Sequence, residues 1–129
     1  MDEMAVKRII ANIAAPQPDV ACAFYREVLG LEVVMDHGWI MTFAAAPVMV
    51  APQVSIASEG GSGTPVPDLS IEVDDLDDVL ARAKAAGHPI EYGPQQEPWG
   101  VRRFYVRDPF GRLVNVLTHS TEQPIESEP

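Results

Sequence analysis

The side chains able to do chemistry gather late in the chain, in residues 97–118, EPWGVRRFYVRDPFGRLVNVLT. The centre of this stretch is a turn, Asp108-Pro109-Phe110-Gly111, where proline fixes φ and glycine follows the corner at no steric cost. On either side the residues alternate as in strands. Phe104 and Val106 share one face of the incoming arm, and Arg103, Tyr105 and Arg107 the other. In the outgoing arm Val114 and Val116 share a face, with Leu113, Asn115 and Leu117 opposite. A face mixing guanidinium, phenol and amide is too polar for an ordinary core, so it meets solvent or lines a pocket. The same alternation elsewhere adds Asn12, Asp68, Ser70 and Glu72. Seven polar groups on one concave face, these four with Arg103, Tyr105 and Asn115, imply mutual pairing, water or a ligand. An ion pair from Arg103 to Asp68 or Glu72 is the structural alternative to a ligand role. Trp39 and Trp99 are aromatic walls for such a site, or dimer contacts.

The remaining reactive residues offer less. His37 sits in a turn with Trp39 two positions on, His88 follows a helix-ending glycine, and His119 begins the tail, where it reads as inert. No histidine pair has metal-ligand spacing, and no Ser or Cys lies in a nucleophile motif. Cys22 falls inside a helical pattern and packs rather than reacts.

The elements that would position these groups come in a repeated order. Lys7 to Ala14 reads as a strand, broken by Pro16 and Pro18. Asp19 stands where a helix N-cap is wanted, Val20, Phe24 and Val28 recur at helical spacing, and Gly30 stops the helix. Strands follow at Leu31 to Met35, Trp39 to Phe43, and within Pro47 to Ala57, the last interrupted by Pro52. Glu59 to Pro67 is Gly/Pro-rich and reads as a flexible linker. Then come a strand at Asp68 to Val73 and an acidic helix start, Asp74, Asp75, Asp77 and Asp78. Carboxylates there meet unpaired amides and the positive dipole end. The stripe Leu76, Val79, Leu80, Ala83 continues the helix to Gly87, followed by a strand at His88 to Tyr92 and the late hairpin. Strand, helix, glycine stop and three strands thus occur twice, an internal duplication of a βαβββ unit. The expected fold is α+β. Two modules, about 6–58 and 68–119 with linker 59–67, form one curled mixed sheet around a cleft, and residues 120–129 are a disordered tail.

Composition sets the outer bounds. At 129 residues, 47% apolar and 22% charged, the chain is one domain of ordinary globular make-up. A net charge of −10 disfavours nucleic acid and anionic membranes as partners. The single cysteine, the absence of a secretory h-region and the lack of a spanning apolar run predict a cytoplasmic protein.

The chain resembles the vicinal oxygen chelate superfamily, which includes glyoxalases, bleomycin-resistance proteins and ring-cleaving dioxygenases. The resemblance is carried by AFYREVLGL (23–31), by Ile71-Glu72-Val73-Asp74-Asp75, by Pro98-Trp99-Gly100, and by Arg107-Asp108-Pro109-Phe110-Gly111. It implies paired βαβββ modules, a homodimer, and a small-molecule cleft in which enzymes hold a divalent metal by His and Glu side chains. The positions matching those ligands carry Ile10, Asp68 and Asn115 here. One carboxylate among three positions is not a metal site. The resemblance therefore implies a metal-free, cofactor-free, non-catalytic protein that binds a small organic molecule, such as an antibiotic-like ligand. Its expected ligand face is Trp39, Asp68, Trp99, Arg103, Tyr105 and Asn115. The alternative is a lyase, isomerase or dioxygenase with a displaced metal site.

Overall fold

The structure, a computed structural model, describes residues 4–45 and 53–119. The chain divides into two compact units, Ile10–Asp68 and the residues up to Ile9 together with those from Leu69 onward. The expected α+β class and duplicated βαβββ order are both present.

The first module holds β1 (Val6–Ala14), α1 (Cys22–Tyr25), β2 (Glu32–Asp36), β3 (Ile40–Ala44) and β4 (Gln53–Ala57). Its strands lie in the order β2-β3-β4-β1, with β4 parallel to β1 and the other pairs antiparallel. A 3₁₀ turn at Pro18–Ala21 precedes α1, and the cap position is Gln17, with no side-chain bond. Asp19 thus lies inside the first turn rather than capping it, because Pro18, with its fixed φ and missing N–H, is the residue suited to open a helix. The apolar stripe also divides otherwise than expected. Ala21, Cys22 and Tyr25 pack on Met41, Phe43 and Ile56, while Val20, Phe24, Val28 and Leu29 are exposed. Residues 47–52 of the expected fourth strand lie outside the described residues.

The segment read as a linker is folded. Gly60 N–H donates to the Thr64 carbonyl, Thr64 N–H to the Gly61 carbonyl, and Gly63 N–H to a Glu59 carboxylate oxygen. Its glycines supply the left-handed corners that make this knot possible, with φ of 91° at Gly61 and 77° at Gly63.

The second module holds β5 (Leu69–Val73), α2 (Leu76–Ala85), β6 (Ile90–Gln96), β7 (Val101–Arg107) and β8 (Leu113–His119). The strand order is β5-β8-β7-β6, parallel between β5 and β8 and antiparallel elsewhere. The acidic cluster is a helix start, as expected: Asp75 is the N-cap, and its side chain accepts from the Asp78 N–H at 3.0 Å. Against one sheet face, Leu76, Val79 and Leu80 of α2 pack on Val73, Phe104, Val106, Val114 and Val116. The other face is thereby fixed as the polar one. β6 runs longer than the sequence suggests, to Gln96, because its register shifts around Gly93 (φ 80°) and then resumes. The expected tail, 120–129, lies outside the described residues.

Candidate functional site

Strand register places the polar side chains of the second module in rows across β5, β8, β7 and β6. One row is Ser70, Asn115, Tyr105 and Tyr92. The next is Glu72, Leu117, Arg103 and Gln95. All lie opposite the face packed on α2, since Phe104 is fully buried in that core. The alternation expected for Arg103, Tyr105 and Asn115 is therefore what the backbone delivers, and all three are buried.

Arg103 is the centre of the face. Its Nε donates to Glu97 Oε2 at 2.7 Å, with side-chain exposures of 3% and 2%. Its Nη1 donates to the Tyr105 hydroxyl at 3.2 Å. The guanidinium carbon lies 5.3 Å from the Tyr92 ring centre and 5.0 Å from those of Trp99 and Tyr105. The Tyr92 hydroxyl donates to the same Glu97 oxygen at 2.7 Å. Burial, and next this hydrogen bond to an anionic acceptor, make the Tyr92 phenol harder to ionise than usual. The result is a three-walled aromatic box filled by the protein's own cation and neutralised by its own carboxylate.

A tight turn builds this box. Glu97 N–H donates to the Val101 carbonyl and Gly100 N–H to the Glu97 carbonyl, so residues 97–100 close β6 onto β7. The turn thereby delivers both Glu97 and Trp99 to Arg103. The buried ion pair that Arg103 makes is with Glu97, which comes from the adjoining hairpin turn and needs no distant strand. Glu97 and Tyr92 were both missed as site residues. The available signal was a carboxylate immediately before Pro-Trp-Gly at the mouth of a hairpin that carries a buried arginine.

Asn115 behaves differently from its neighbours. Its Nδ2 donates to Ser70 Oγ at 3.1 Å, while its Oδ1 is buried with no hydrogen-bond partner. Buried polar atoms are nearly always paired, so this orphan acceptor calls for a reason. At the far end of the same face, Glu72 binds Arg8 Nε at 2.6 Å and His119 Nδ1 at 2.8 Å. Burial pushes the Glu72 carboxyl up, and the bonds from His119 and then Arg8 outweigh it, leaving a pKa below the usual 4.5.

The other expected site residues fall in the first unit. Asp68 is exposed, and its carbonyl accepts from the Asn12 N–H. Trp39 is half-buried, its ring stacked on His37 at 6.0 Å. The structure thus gathers Trp99, Arg103, Tyr105 and Asn115 on one face, while Trp39 and Asp68 belong to the other unit. As donors for a divalent metal, Ile10, Asp68 and Asn115 do not fit. An alkyl group cannot ligate, and the amide oxygen is only a weak neutral donor. Among the described residues no group of three or more His, Cys, Asp or Glu side chains could hold a metal ion.

Comparison with known proteins follows this geometry closely. Residues 8–116 match the family described as the Glyoxalase/Bleomycin resistance protein/Dioxygenase superfamily. No curated protein matches the chain as a sequence relative. Among solved structures, the chain is similar to an NAD-dependent benzaldehyde dehydrogenase from Legionella pneumophila. That match has a TM-score of 0.69 and 14% identity over 88% of this chain and 100% of the other. It is similar to methylmalonyl-CoA epimerase from Mycobacterium tuberculosis, with a TM-score of 0.60 and 18% identity over 91% and 89%. It is also similar to the Mn(II)-bound glyoxalase from Novosphingobium aromaticivorans, with a TM-score of 0.57 and 20% identity over 92% of this chain and 40% of that one. At these identities the likeness is one of fold. These three proteins are named for different chemistries, so the fold does not choose among them.

Proposed function

The chain belongs to the glyoxalase/bleomycin resistance protein/dioxygenase superfamily, and we propose that it is a metal-free member that binds a small organic molecule. Its ligand face is the polar side of the second module, with Asn115 and Tyr105 as polar contacts and Trp99 as a wall. Sequestration of an antibiotic-like compound without turnover is the concrete form of this reading. The observation that carries it is the Asn115 Oδ1 acceptor, buried and unpaired on a face whose other polar groups are satisfied. Such an atom costs about 1–3 kcal/mol. That cost is recovered when a ligand's N–H or O–H meets it. Arg103 already fills the aromatic box, so the ligand does not place a cation there. The protein acts in the cytoplasm as a homodimer, and the exposed Val20, Phe24, Val28 and Leu29 support a further contact surface.

A thermal-shift screen tests the reading, using divalent metals on one arm and aromatic, sugar-like and cationic compounds on the other. An organic ligand at about 100 times its Kd adds about 2.7 kcal/mol of stability. Stabilisation by organic compounds alone is expected. Stabilisation by metals alone, with stoichiometric metal in the purified protein, overturns the reading. Sedimentation of a single monomeric species removes the homodimer.

A second reading, an enzyme of the superfamily with a displaced reactive centre, is favoured by one observation. His119 and Glu72 form an imidazole–carboxylate pair on the same polar face.

A further inference from the structure

His119 is the last residue of β8 and lies on the face of Leu113, Asn115 and Leu117, since β7 and β8 pair without a break in register from Arg107↔Leu113 to Val101↔His119. Its Nδ1 is 2.8 Å from Glu72 Oε2, and Glu72 Oε1 is 2.6 Å from Arg8 Nε. The three residues come from three strands of one unit, so backbone pairing rather than a loop holds them. The Glu72 side chain is 12% exposed and the His119 ring 49% exposed. The carboxylate is thus sheltered while the imidazole still meets solvent.

Chemistry then assigns the proton. Glu72 accepts from Arg8 and is ionised at neutral pH, and an ionised carboxylate only accepts. Nδ1 must therefore carry a hydrogen and donate it to Glu72. In the neutral ring that leaves Nε2 with the basic lone pair. His119 meets Glu72 of β5 and lies opposite the neutral Val101 of β7, and Arg8 of β1 binds the other oxygen of Glu72. A base oriented by a carboxylate that is itself pinned by a cation is the arrangement general-base catalysis requires. An ordinary surface ion pair requires neither the shelter of Glu72 nor its second anchor.

We infer that His119, held by Glu72, is a general base at the edge of the polar face of β5–β8, suited to take a proton from a small molecule with a weakly acidic O–H or C–H. The inference rests on the second, enzymatic reading above. Glu72 acts through His119 as a positioning residue.

A neutral aromatic probe with one acidic C–H, 5-nitrobenzisoxazole, tests it in the full-length protein. Nε2 takes the proton from C3, the C–H electron pair becomes the third bond of a nitrile, and the N–O bond breaks to leave a phenolate. The imidazolium then returns its proton to water, and no oxidant or reductant is needed. The wild type should release the coloured phenolate at least about tenfold faster than His119→Gln. Glu72→Gln should lower kcat with KM unchanged, and Glu72→Asp should restore part of it, which loss of a merely structural contact would not do. Equal rates for wild type and His119→Gln, with both variants melting at the wild-type temperature, overturn the inference. So does a Glu72→Gln variant with the wild-type kcat. Binding by the face is read separately, from stabilisation by organic ligands in His119→Gln. Loss of that signal alone refutes the ligand face and leaves the base standing.

Discussion

Removing Glu97 should cost the protein more than almost any other single change on the polar face. Its carboxylate is the anionic partner of an arginine whose side chain is 3% exposed. Breaking a buried ion pair by deleting one partner costs about 3–5 kcal/mol, because the remaining charge stays desolvated. Three ring contacts to Arg103 survive in Glu97→Ala and keep its guanidinium in a partly favourable setting. These place Glu97→Ala near the lower end, about 3 kcal/mol. For a chain of this length that is a fall in Tm of about 10 °C. Arg103→Met should cost at least as much, since the buried Glu97 carboxylate would lose its cation. The double variant should lose clearly less than the sum, with a coupling energy of about 2 kcal/mol or more. Urea unfolding of the four proteins measures this directly. If the single losses add within about 0.5 kcal/mol, the pair is not a coupled buried contact, and the account of the box is wrong.

Three other outcomes follow from the same coordinates. Gly93→Ala should destabilise by at least about 2 kcal/mol in urea unfolding, because φ is 80° and the new Cβ would lie 2.6 Å from the Arg103 carbonyl oxygen. Asn115→Leu should leave apo stability unchanged or raised by about 1 kcal/mol, since the orphan acceptor goes with the Ser70 bond. The same variant should abolish stabilisation by the organic ligand in a thermal-shift assay. The Glu72 carboxyl has a folded pKa below its ordinary 4.5, so its contribution to stability is full above that value and is lost as pH falls through the lowered one. Between pH 5 and pH 3, roughly, the urea midpoint of wild type should fall more than that of Glu72→Gln.

What the sequence made legible was whatever depends on local periodicity. Alternation along residues 101–119 put Phe104 and Val116 on one face and Arg103, Tyr105 and Asn115 on the other, and the backbone agrees. The acidic start of α2 and the duplicated order of elements were equally local signals. What escaped depends on contacts between positions that only the fold brings together. His119 read as inert tail because its partner Glu72 lies 47 residues away. Arg103 was paired on paper with strand carboxylates, yet Glu97, six residues earlier, reaches it through the hairpin turn. The stripe of Val20, Phe24 and Val28 has helical spacing, but Pro18 opens the segment as a 3₁₀ turn, and the face that packs is Ala21, Cys22 and Tyr25.

The duplication makes one comparison possible that neither module offers alone. The row across β5, β8, β7 and β6 is Ser70, Asn115, Tyr105 and Tyr92. Its counterpart across β1, β4, β3 and β2 is Asn12, Ser55, Thr42 and Met35. Both rows are polar where an ordinary core would be apolar, so the feature belongs to the repeated unit. In the first module Thr42 and Ser55, both buried, bond each other at 2.6 Å. In the second, the position equivalent to Ser55 is Asn115, which is longer and carries an acceptor its neighbours leave unmet. Two small hydroxyls fit between adjacent strands and close the row, whereas an amide between Ser70 and Tyr105 does not. A fold under pressure for stability alone would replace that amide, because an isosteric apolar side chain carries no desolvation cost. The unmet acceptor thus lies on the face that also holds the Arg103 box and the His119–Glu72 pair.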